Sequence, residues 1–179
     1  MTAPDRGLRS YVLTAMFAGV SAAAGYLLMA VPNVEAFTVI LFVAGVVLGF
    51  RRGLIAAVIA ALLYFGLNPQ GGLFPPLLAA QMLGVAAAPL TGSLFRRLRI
   101  KGLYRALTLA LTAILTTLWY DLLTNLAYPL TVGFDFKGVM LTLAAGIPFS
   151  LIHIAGNVVL FIILVPPLVD LAYRRRLAG

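Results

Sequence analysis

The chain has 179 residues, of which 63% are hydrophobic and only 10% are charged. About a quarter of the residues in a soluble domain are charged, so this composition predicts a single integral membrane domain covering residues 1–179. The sequence has no cysteine and one histidine. Disulfides, thiol catalysis, cysteine metal sites and multi-histidine metal sites are therefore excluded, and we expect no metal ion and no cofactor.

Six apolar segments are interpreted as membrane spans, numbered one to six: about 9–30, 36–50, 54–67, 77–95, 104–128 and 138–165. They predict an all-α, polytopic six-helix bundle. A full crossing needs roughly 20 apolar residues, and spans two and three are shorter than that. Two interpretations of this pair compete: two crossings of a thin or tilted region, or one re-entrant hairpin.

The basic residues are distributed very unevenly between the two sides of this bundle. Of the 13 lysines and arginines, 12 lie before span one, between spans two and three, between spans four and five, or after span six, and only Lys137 lies on the other side. The positive-inside rule makes the basic side, and with it both termini, cytoplasmic. The asymmetry also favours true crossings for spans two and three, because a re-entrant hairpin would bury Arg51 and Arg52 in hydrocarbon. It accounts for the net charge of +8, so we expect no nucleic-acid partner.

Span five carries a polar stripe in an otherwise apolar run. Asp121 and Asn125 are four residues apart and share a helix face, which Tyr128 extends. A carboxylate in such a run normally faces a protein interior or a water-filled cavity. Because span five runs outward, Asp121 is expected roughly 10 Å below its outer end.

Further polar residues concentrate in the same outer half of the protein. Gln81 is expected one turn below the outer surface on span four, and His153 and Asn157 share one face of span six. We predict a ligand pocket that opens to the outside. Its candidate residues are Asn33, Glu35, Asn68, Gln81, Trp119, Asp121, Asn125, Tyr128, His153 and Asn157.

Structural roles compete with ligand binding at most of these positions. Asn33 is suited to capping span two, where Glu35 would favour the positive end of the helix dipole, and Asn68 before Pro69 is suited to a turn. The remaining alternatives are interhelical hydrogen bonds for His153 and Asn157, an ion pair from Asp121 to His153 or Lys137, and an interfacial aromatic belt containing Trp119, Tyr120 and Tyr128.

Span one has a face of very small side chains. Ala15, Ala18, Gly19 and Ala22 follow the i, i+3, i+4, i+7 spacing of one helix face. Small residues allow another helix backbone to approach closely, which is how membrane helices associate. Docking of a partner subunit and packing inside this protein are both compatible with the pattern.

With these features the chain resembles the substrate-binding S components of energy-coupling factor (ECF) transporters, which are bacterial importers of vitamins. The resemblance covers essentially the whole length and includes the six spans and the small-residue face of span one. The matching motifs are Pro32-Asn33-Val34-Glu35, Arg51-Arg52-Gly53, Asn68-Pro69, Asp121-Leu122-Leu123-Thr124-Asn125, Pro148-Phe149 with His153 and Asn157, and Pro166-Pro167.

The resemblance implies a mechanism and a location. An S component of the bacterial cytoplasmic membrane captures substrate outside, and its span one docks on a transmembrane coupling subunit. Two ATP-binding-cassette ATPases drive the cycle, and the S component topples in the bilayer to release substrate inside. Asp121, Asn125, His153 and Asn157 match positions of ligand contacts in the family. Gly19 stands where an alanine is common, and which small pair forms the docking motif stays open.

Two other functions remain alternatives to an importer subunit without enzymatic activity. An ion-coupled transporter working alone would use Asp121 as its protonation site. An intramembrane enzyme would pair His153 and Asp121 with Ser21, Ser93 or Ser150. The sequence contains neither G-x-x-x-x-G-K-[ST] nor G-x-S-x-G. As ligand we expect a flat heterocycle, cobalamin-like or another heterocyclic vitamin.

Overall fold

A computed structural model describes residues 3–67, 74–98 and 100–175, with the side chains described from residue 7 onward. Within these ranges the protein is helical and contains no β-strand. Seven helices follow one another: α1 (Ala3–Leu28), α2 (Phe37–Leu48), α3 (Phe50–Tyr64), α4 (Pro75–Val85), α5 (Ala87–Phe95), α6 (Gly102–Thr131) and α7 (Phe136–Arg174).

Four helical stretches are long and apolar enough to cross a membrane: Gly7–Leu28, Pro75–Phe95, Gly102–Thr131 and Phe136–Arg174. Large apolar side chains such as Leu111, Phe149 and Ile163 are more than half exposed on their outer surfaces. A protein in water rarely exposes so many contiguous apolar residues. The composition's prediction of an all-helical membrane protein is thus confirmed.

The helix boundaries differ from the predicted spans in two places. Span four is two helices, since α4 ends at Val85 and α5 begins at Ala87. Span six continues to Arg174, because Pro166 and Pro167 lie within α7 rather than after it. Prolines inside membrane helices are tolerated where neighbouring groups satisfy the freed backbone, and for this reason they do not mark the end of the helix.

Helix α2 lies at the centre of the bundle. It packs against α1, α3, α5 and α7, and its large side chains Phe37, Leu41 and Phe42 are completely buried. Its 12 residues extend only about 18 Å. A helix enclosed by protein on all sides does not need to match the roughly 30 Å of hydrocarbon, which explains why span two is short.

Helices α2 and α3 form a tight antiparallel hairpin around one glycine. Gly49 connects them with a φ of +79°, a left-handed conformation that favours glycine. At the other end of the hairpin, the Phe37 ring lies 5.2 Å from Tyr64 and 5.5 Å from Phe65. Spans two and three are therefore two distinct helices that run in opposite directions.

Helix α5 approaches α2 with backbone against backbone. A Cβ atom added to Gly45 would lie 2.2 Å from the Pro89 carbonyl oxygen, and one added to Gly92 would lie 2.1 Å from that of Phe42. Such distances leave no room for any side chain. These two glycines hold α5 on the central helix.

The helix ends meet at two opposite poles. At the pole we call basic, Phe95, Arg96, Arg105, Val169 and Tyr173 surround a cavity of about 150 Å³, beside an ion pair in which Arg105 Nη2 lies 3.5 Å from Asp170 Oδ1. At the pole we call acidic, the α1–α2 loop meets the end of α3 and interior positions of α6 and α7, at Tyr120 and His153. This second pole contains the candidate site.

Candidate functional site

Three charged side chains from distant parts of the sequence meet at the acidic pole. His153 of α7 lies between two carboxylates: its Nδ1 is 2.8 Å from Asp121 Oδ1 of α6, and its Nε2 is 3.5 Å from Glu35 Oε1. The exposed fractions of the three side chains are 8% for His153, 13% for Asp121 and 15% for Glu35. We call these residues the acidic triad. The sequence left two ion-pair partners possible for Asp121, His153 and Lys137, and the structure has the pair with His153.

Glu35 is held in place from the start of α2. The Thr38 hydroxyl donates a 2.6 Å hydrogen bond to Glu35 Oε1, so one carboxylate oxygen is fixed. The residue before α2 is Ala36, which makes no side-chain cap, and Asn33 adopts a φ of +57°. The interpretation of Asn33 as the cap of span two is therefore wrong, because the capping position is Ala36, three residues after Asn33.

The loop that carries Glu35 lies directly on α7. A Cβ atom added to Gly156 would lie 3.4 Å from the Asn33 carbonyl oxygen and 3.6 Å from a methyl group of Val34. Gly156 is three residues from His153 on the same helix face. An added methyl group would be in ordinary van der Waals contact with the loop at these distances, so the loop packs directly on the face of α7 that carries His153.

A cavity of about 260 Å³ lies beneath this loop. Its polar lining consists of Asn33, Glu35 and His153, and its aromatic lining consists of Tyr64, Phe65 and Tyr120. The remaining wall is apolar: Leu28, Met29, Val31, Pro32 and Val34. A concave space in which a few polar groups converge beside aromatic side chains is a common form of small-molecule site.

Tyr120 joins this cavity to helix α4. Its ring meets the His153 ring edge-on at 5.9 Å, and its hydroxyl is reached by the side chain of Gln81. A Cβ atom added to Gly84 would lie 2.7 Å from Tyr120 Cδ2, so the absence of a side chain at Gly84 makes room for the ring. Gln81 is not among the described residues that line the cavity.

Asn157 lies deeper in the bundle than the triad. Its Nδ2 donates a 2.9 Å hydrogen bond to Thr117 Oγ1 of α6, and both residues are 1% exposed. Neither belongs to the cavity lining. In this structure Asn157 makes the interhelical hydrogen bond that was one of its two predicted roles.

Three predicted site residues on α6 lie away from the cavity. Trp119 is about half exposed, and its Nε1 donates to the Leu83 carbonyl at 3.4 Å. Asn125 packs on Gly146 of α7. Tyr128 is 57% exposed and its ring contacts Phe74 and Phe134. Asn68, the remaining candidate, lies outside the described residues.

The small-residue face of span one is divided by the bundle. Ala18 and Ala22 are 1% and 5% exposed, so they pack inside this protein. Ala15 and Gly19 are exposed, together with Ala23, and nothing lies within 4 Å of a Cβ atom added to Gly19. The docking set therefore has to be corrected: Ala18 and Ala22 are unavailable to a partner, and the exposed small stripe is Ala15, Gly19 and Ala23.

The sequence did not identify Tyr64 and Phe65 as site residues, although they form the aromatic wall together with Tyr120. Tyr64 and Phe65 end a short apolar span at the outer side, where aromatic residues are expected at any membrane interface. The signal that would have separated them from an aromatic belt is their position next to Phe37 on the fully buried α2.

Comparison with models of protein families, with curated proteins and with solved structures finds no match to this chain. Among the described residues, no group of three or more histidine, aspartate or glutamate side chains is placed to hold a metal ion. The site is therefore defined by its own geometry: a triad of two carboxylates and a histidine beside an aromatic cavity.

Proposed function

We propose that this chain is the substrate-capturing membrane subunit of an ECF-type importer of the bacterial cytoplasmic membrane. In this proposal the acidic pole faces outward and receives a small heterocyclic vitamin. A coupling subunit and two ATPases then complete delivery to the cytoplasm. The observation that carries the proposal is the cavity. His153 and Glu35 line it beneath the α1–α2 loop, at the pole opposite the one where Arg96 and Arg105 lie.

The distribution of charge supports the proposed orientation. Arg96 and Arg105 line the cavity of the basic pole, and this pole would lie in the cytoplasm by the positive-inside rule. The ligand cavity is then open to the outside, as capture of an external nutrient requires. The exposed stripe of Ala15, Gly19 and Ala23 supplies a surface on which a coupling subunit could pack closely.

The cavity volume limits the kind of vitamin. Pockets for drug-sized ligands have volumes of about 300–1,000 Å³, and this cavity measures about 260 Å³. That space suits one ring or two fused rings. A corrin is far larger, so our proposal is a small heterocycle rather than a cobalamin-like ligand.

A second function, a solitary ion-coupled transporter, is favoured by one observation. Asp121, His153 and Glu35 form a continuous row of ionisable groups in the bundle, and such rows serve as proton sites in membrane carriers. No comparable observation favours the enzyme alternative, since the polar contacts of His153 in the described structure are the two carboxylates.

Purification followed by reconstitution tests the proposal. The purified chain should retain a small heterocycle that mass spectrometry identifies, and bind it tightly. Uptake of this compound into proteoliposomes should require the coupling subunit, both ATPases and ATP. Uptake by the chain alone, driven by a proton or sodium gradient, would instead establish the solitary carrier.

A further inference from the structure

The acidic pole has more acidic than basic side chains beside its cavity. Two carboxylates, Glu35 and Asp121, face one imidazole, so with both carboxylates ionised the triad has a net charge of −1 even when His153 is protonated. No lysine or arginine is present among the described residues that line the cavity. Lys137, the basic residue nearest in sequence to this pole's α6–α7 loop, is exposed to solvent. A buried net charge of this kind requires a partner of opposite sign.

One nitrogen of His153, which lines the cavity, has an incomplete set of contacts. Nε2 is buried and makes no hydrogen bond to the described residues, since Glu35 Oε1 at 3.5 Å is within ion-pair distance only; the side chain as a whole is 8% exposed. Leaving a buried polar atom unpaired typically costs about 1–3 kcal/mol. The atom therefore indicates that a polar group of a ligand completes the site.

Asp121 determines which kind of group fits there. Asp121 Oδ1, 2.8 Å from Nδ1, accepts the hydrogen bond of that N–H group, so Nε2 is an acceptor in the neutral ring, the form that a cationic ligand beside it favours. Glu35 Oε1, 3.5 Å from Nε2, is an acceptor as well. Two neighbouring acceptors are complementary to a ligand edge that carries neighbouring N–H donors.

The aromatic wall favours a flat cation. The rings of Tyr64 and Phe65 have centroids 4.9 Å apart, and Phe65 and Tyr120 are stacked at 6.2 Å with an angle of 28° between their planes. The face of an aromatic ring attracts cations and stacks with planar ligands. The wall and the triad thus select for the same charge.

We propose that the cavity binds a planar organic cation of one or two rings, whose charged edge donates N–H groups to Glu35 and His153. Protonated amino-heterocycles and amidinium compounds belong to this class. The inference rests on the proposed function because it concerns the same cavity, but it adds the charge and the donor pattern of the ligand. Neutral and anionic heterocycles of the same size should bind more weakly.

Three probes of nearly identical shape separate charge from shape. Benzamidinium is a cation with two N–H donor groups, benzamide is neutral, and benzoate is an anion. Isothermal titration of the purified full chain in detergent micelles, cleared of co-purified ligand, should give benzamidinium an affinity at least about 10-fold above that of benzamide, with benzoate the weakest. Equal or higher affinity for benzoate, or no binding of benzamidinium at millimolar concentration, would overturn the inference.

A variant that lacks the charge of Glu35 tests whether the triad causes the preference for benzamidinium over benzamide. Glu35→Gln keeps the shape and the contact with Thr38 but removes one negative charge, so the ratio of benzamidinium to benzamide affinity should fall by about 10-fold. Asp170→Asn, which removes a carboxylate at the basic pole, is the matched control and should keep the ratio. An unchanged ratio in folded Glu35→Gln overturns the inference. If this variant does not fold, the order of the three affinities in the unmodified chain decides whether the inference holds.

The compound that co-purifies distinguishes this inference from the proposed function. A neutral or anionic heterocycle that is retained by the chain and imported with ATP would leave the proposed function standing and overturn the charge assignment. A cationic heterocycle would support both. If the chain imports its ligand without partner subunits while preferring benzamidinium, the charge assignment stands and the importer-subunit function fails.

Discussion

Nδ1 of His153 lies 2.8 Å from Oδ1 of Asp121, although the two residues are 32 positions apart and belong to different helices. The contact fixes the orientation of the imidazole ring and directs Nε2 toward Glu35. Asp121 does not itself line the cavity. In the function that we propose, Asp121 is a positioning residue that acts on the ligand through the histidine, as carboxylates behind histidine ligands do in many sites.

Replacing Asp121 by Asn should weaken ligand binding and change the state of His153. The amide keeps the size of the side chain but no longer requires a proton on Nδ1, so Nε2 loses its defined acceptor role. We expect an affinity loss of roughly 5- to 150-fold, which corresponds to about 1–3 kcal/mol. Titration of the co-purified ligand measures the affinity.

The single histidine allows a direct check of this mechanism. In a ¹⁵N-histidine-labelled sample only His153 contributes imidazole signals, so nuclear magnetic resonance reports which nitrogen carries the proton. The two ring nitrogens should exchange roles, at least partly, in Asp121→Asn. If the variant is folded and both the tautomer and the affinity are unchanged, Asp121 has only a structural role.

Asn157 should contribute to stability more than to binding. Its hydrogen bond to Thr117 is buried at 2.9 Å, so Asn157→Ala leaves a hydroxyl without its partner and should cost about 1–3 kcal/mol. A double-mutant cycle with Thr117→Val, followed by thermal unfolding in detergent, should give a coupling energy above about 0.5 kcal/mol. Additive losses would contradict the coupling of the two side chains, and a loss of ligand affinity as large as that of Asp121→Asn would place Asn157 in the binding site.

The contact between α2 and α5 predicts an unusual sensitivity to one methyl group. Gly45→Ala would place a Cβ atom 2.2 Å from the Pro89 carbonyl oxygen, which forces the helices apart. Overpacking of this kind typically costs about 1–3 kcal/mol, and each kcal/mol lowers Tm by roughly 2–4 °C in a chain of this size. Gly19→Ala is the matched control, because its new methyl group meets nothing within 4 Å. Equal Tm values for the two variants would contradict the close approach of α5.

The pairing of Asp121 with His153 could be predicted from the sequence, because few partners are available to a carboxylate in an apolar span. Charged groups in apolar spans need partners inside the protein, and with one histidine and few acidic residues the choices are limited. Helical periodicity also placed Asn125 and Tyr128 on the same face as Asp121. The structure shows that only the part of this face near Asp121 reaches the triad, since Asn125 packs on Gly146 instead.

Two features depended on tertiary packing and were not accessible from periodicity. The boundary between buried and exposed residues on α1 separates Ala18 from Gly19, neighbours in the sequence, and no spacing rule predicts where that boundary lies. The aromatic wall of Tyr64 and Phe65 depends on the burial of α2, which places Phe37 beside both rings. A hydrophobic helix in a membrane protein can face lipid or protein, and composition alone does not distinguish them.

Sidedness can be tested with single cysteines, because the natural chain has none. Lys101→Cys lies at the start of α6 and Lys137→Cys at the start of α7, both at exposed positions. The positive-inside rule predicts that an impermeant thiol reagent labels the cysteine at 137 in intact cells and labels that at 101 only after permeabilisation. The reverse pattern would invert the topology and exclude capture of an external ligand by the acidic pole.

The exposed stripe on α1 predicts a variant that separates ligand binding from uptake. Gly19 has open space above it, so Gly19→Trp should leave the bundle intact while preventing a partner helix from approaching the stripe of Ala15, Gly19 and Ala23. A tryptophan at Ala18, which is 1% exposed, would instead disrupt the core. We expect Gly19→Trp to abolish uptake in cells that carry the complete importer.

Two controls make this last prediction specific to docking. The isolated Gly19→Trp protein should bind the co-purified ligand with unchanged affinity, because Leu28, its last residue, is the one described side chain of α1 that lines the cavity. Leu111→Trp adds the same bulk at a 57% exposed position of α6 and should leave uptake normal. Uptake that survives in Gly19→Trp would mean that a partner docks elsewhere or is not needed, and the solitary carrier would then explain the protein better.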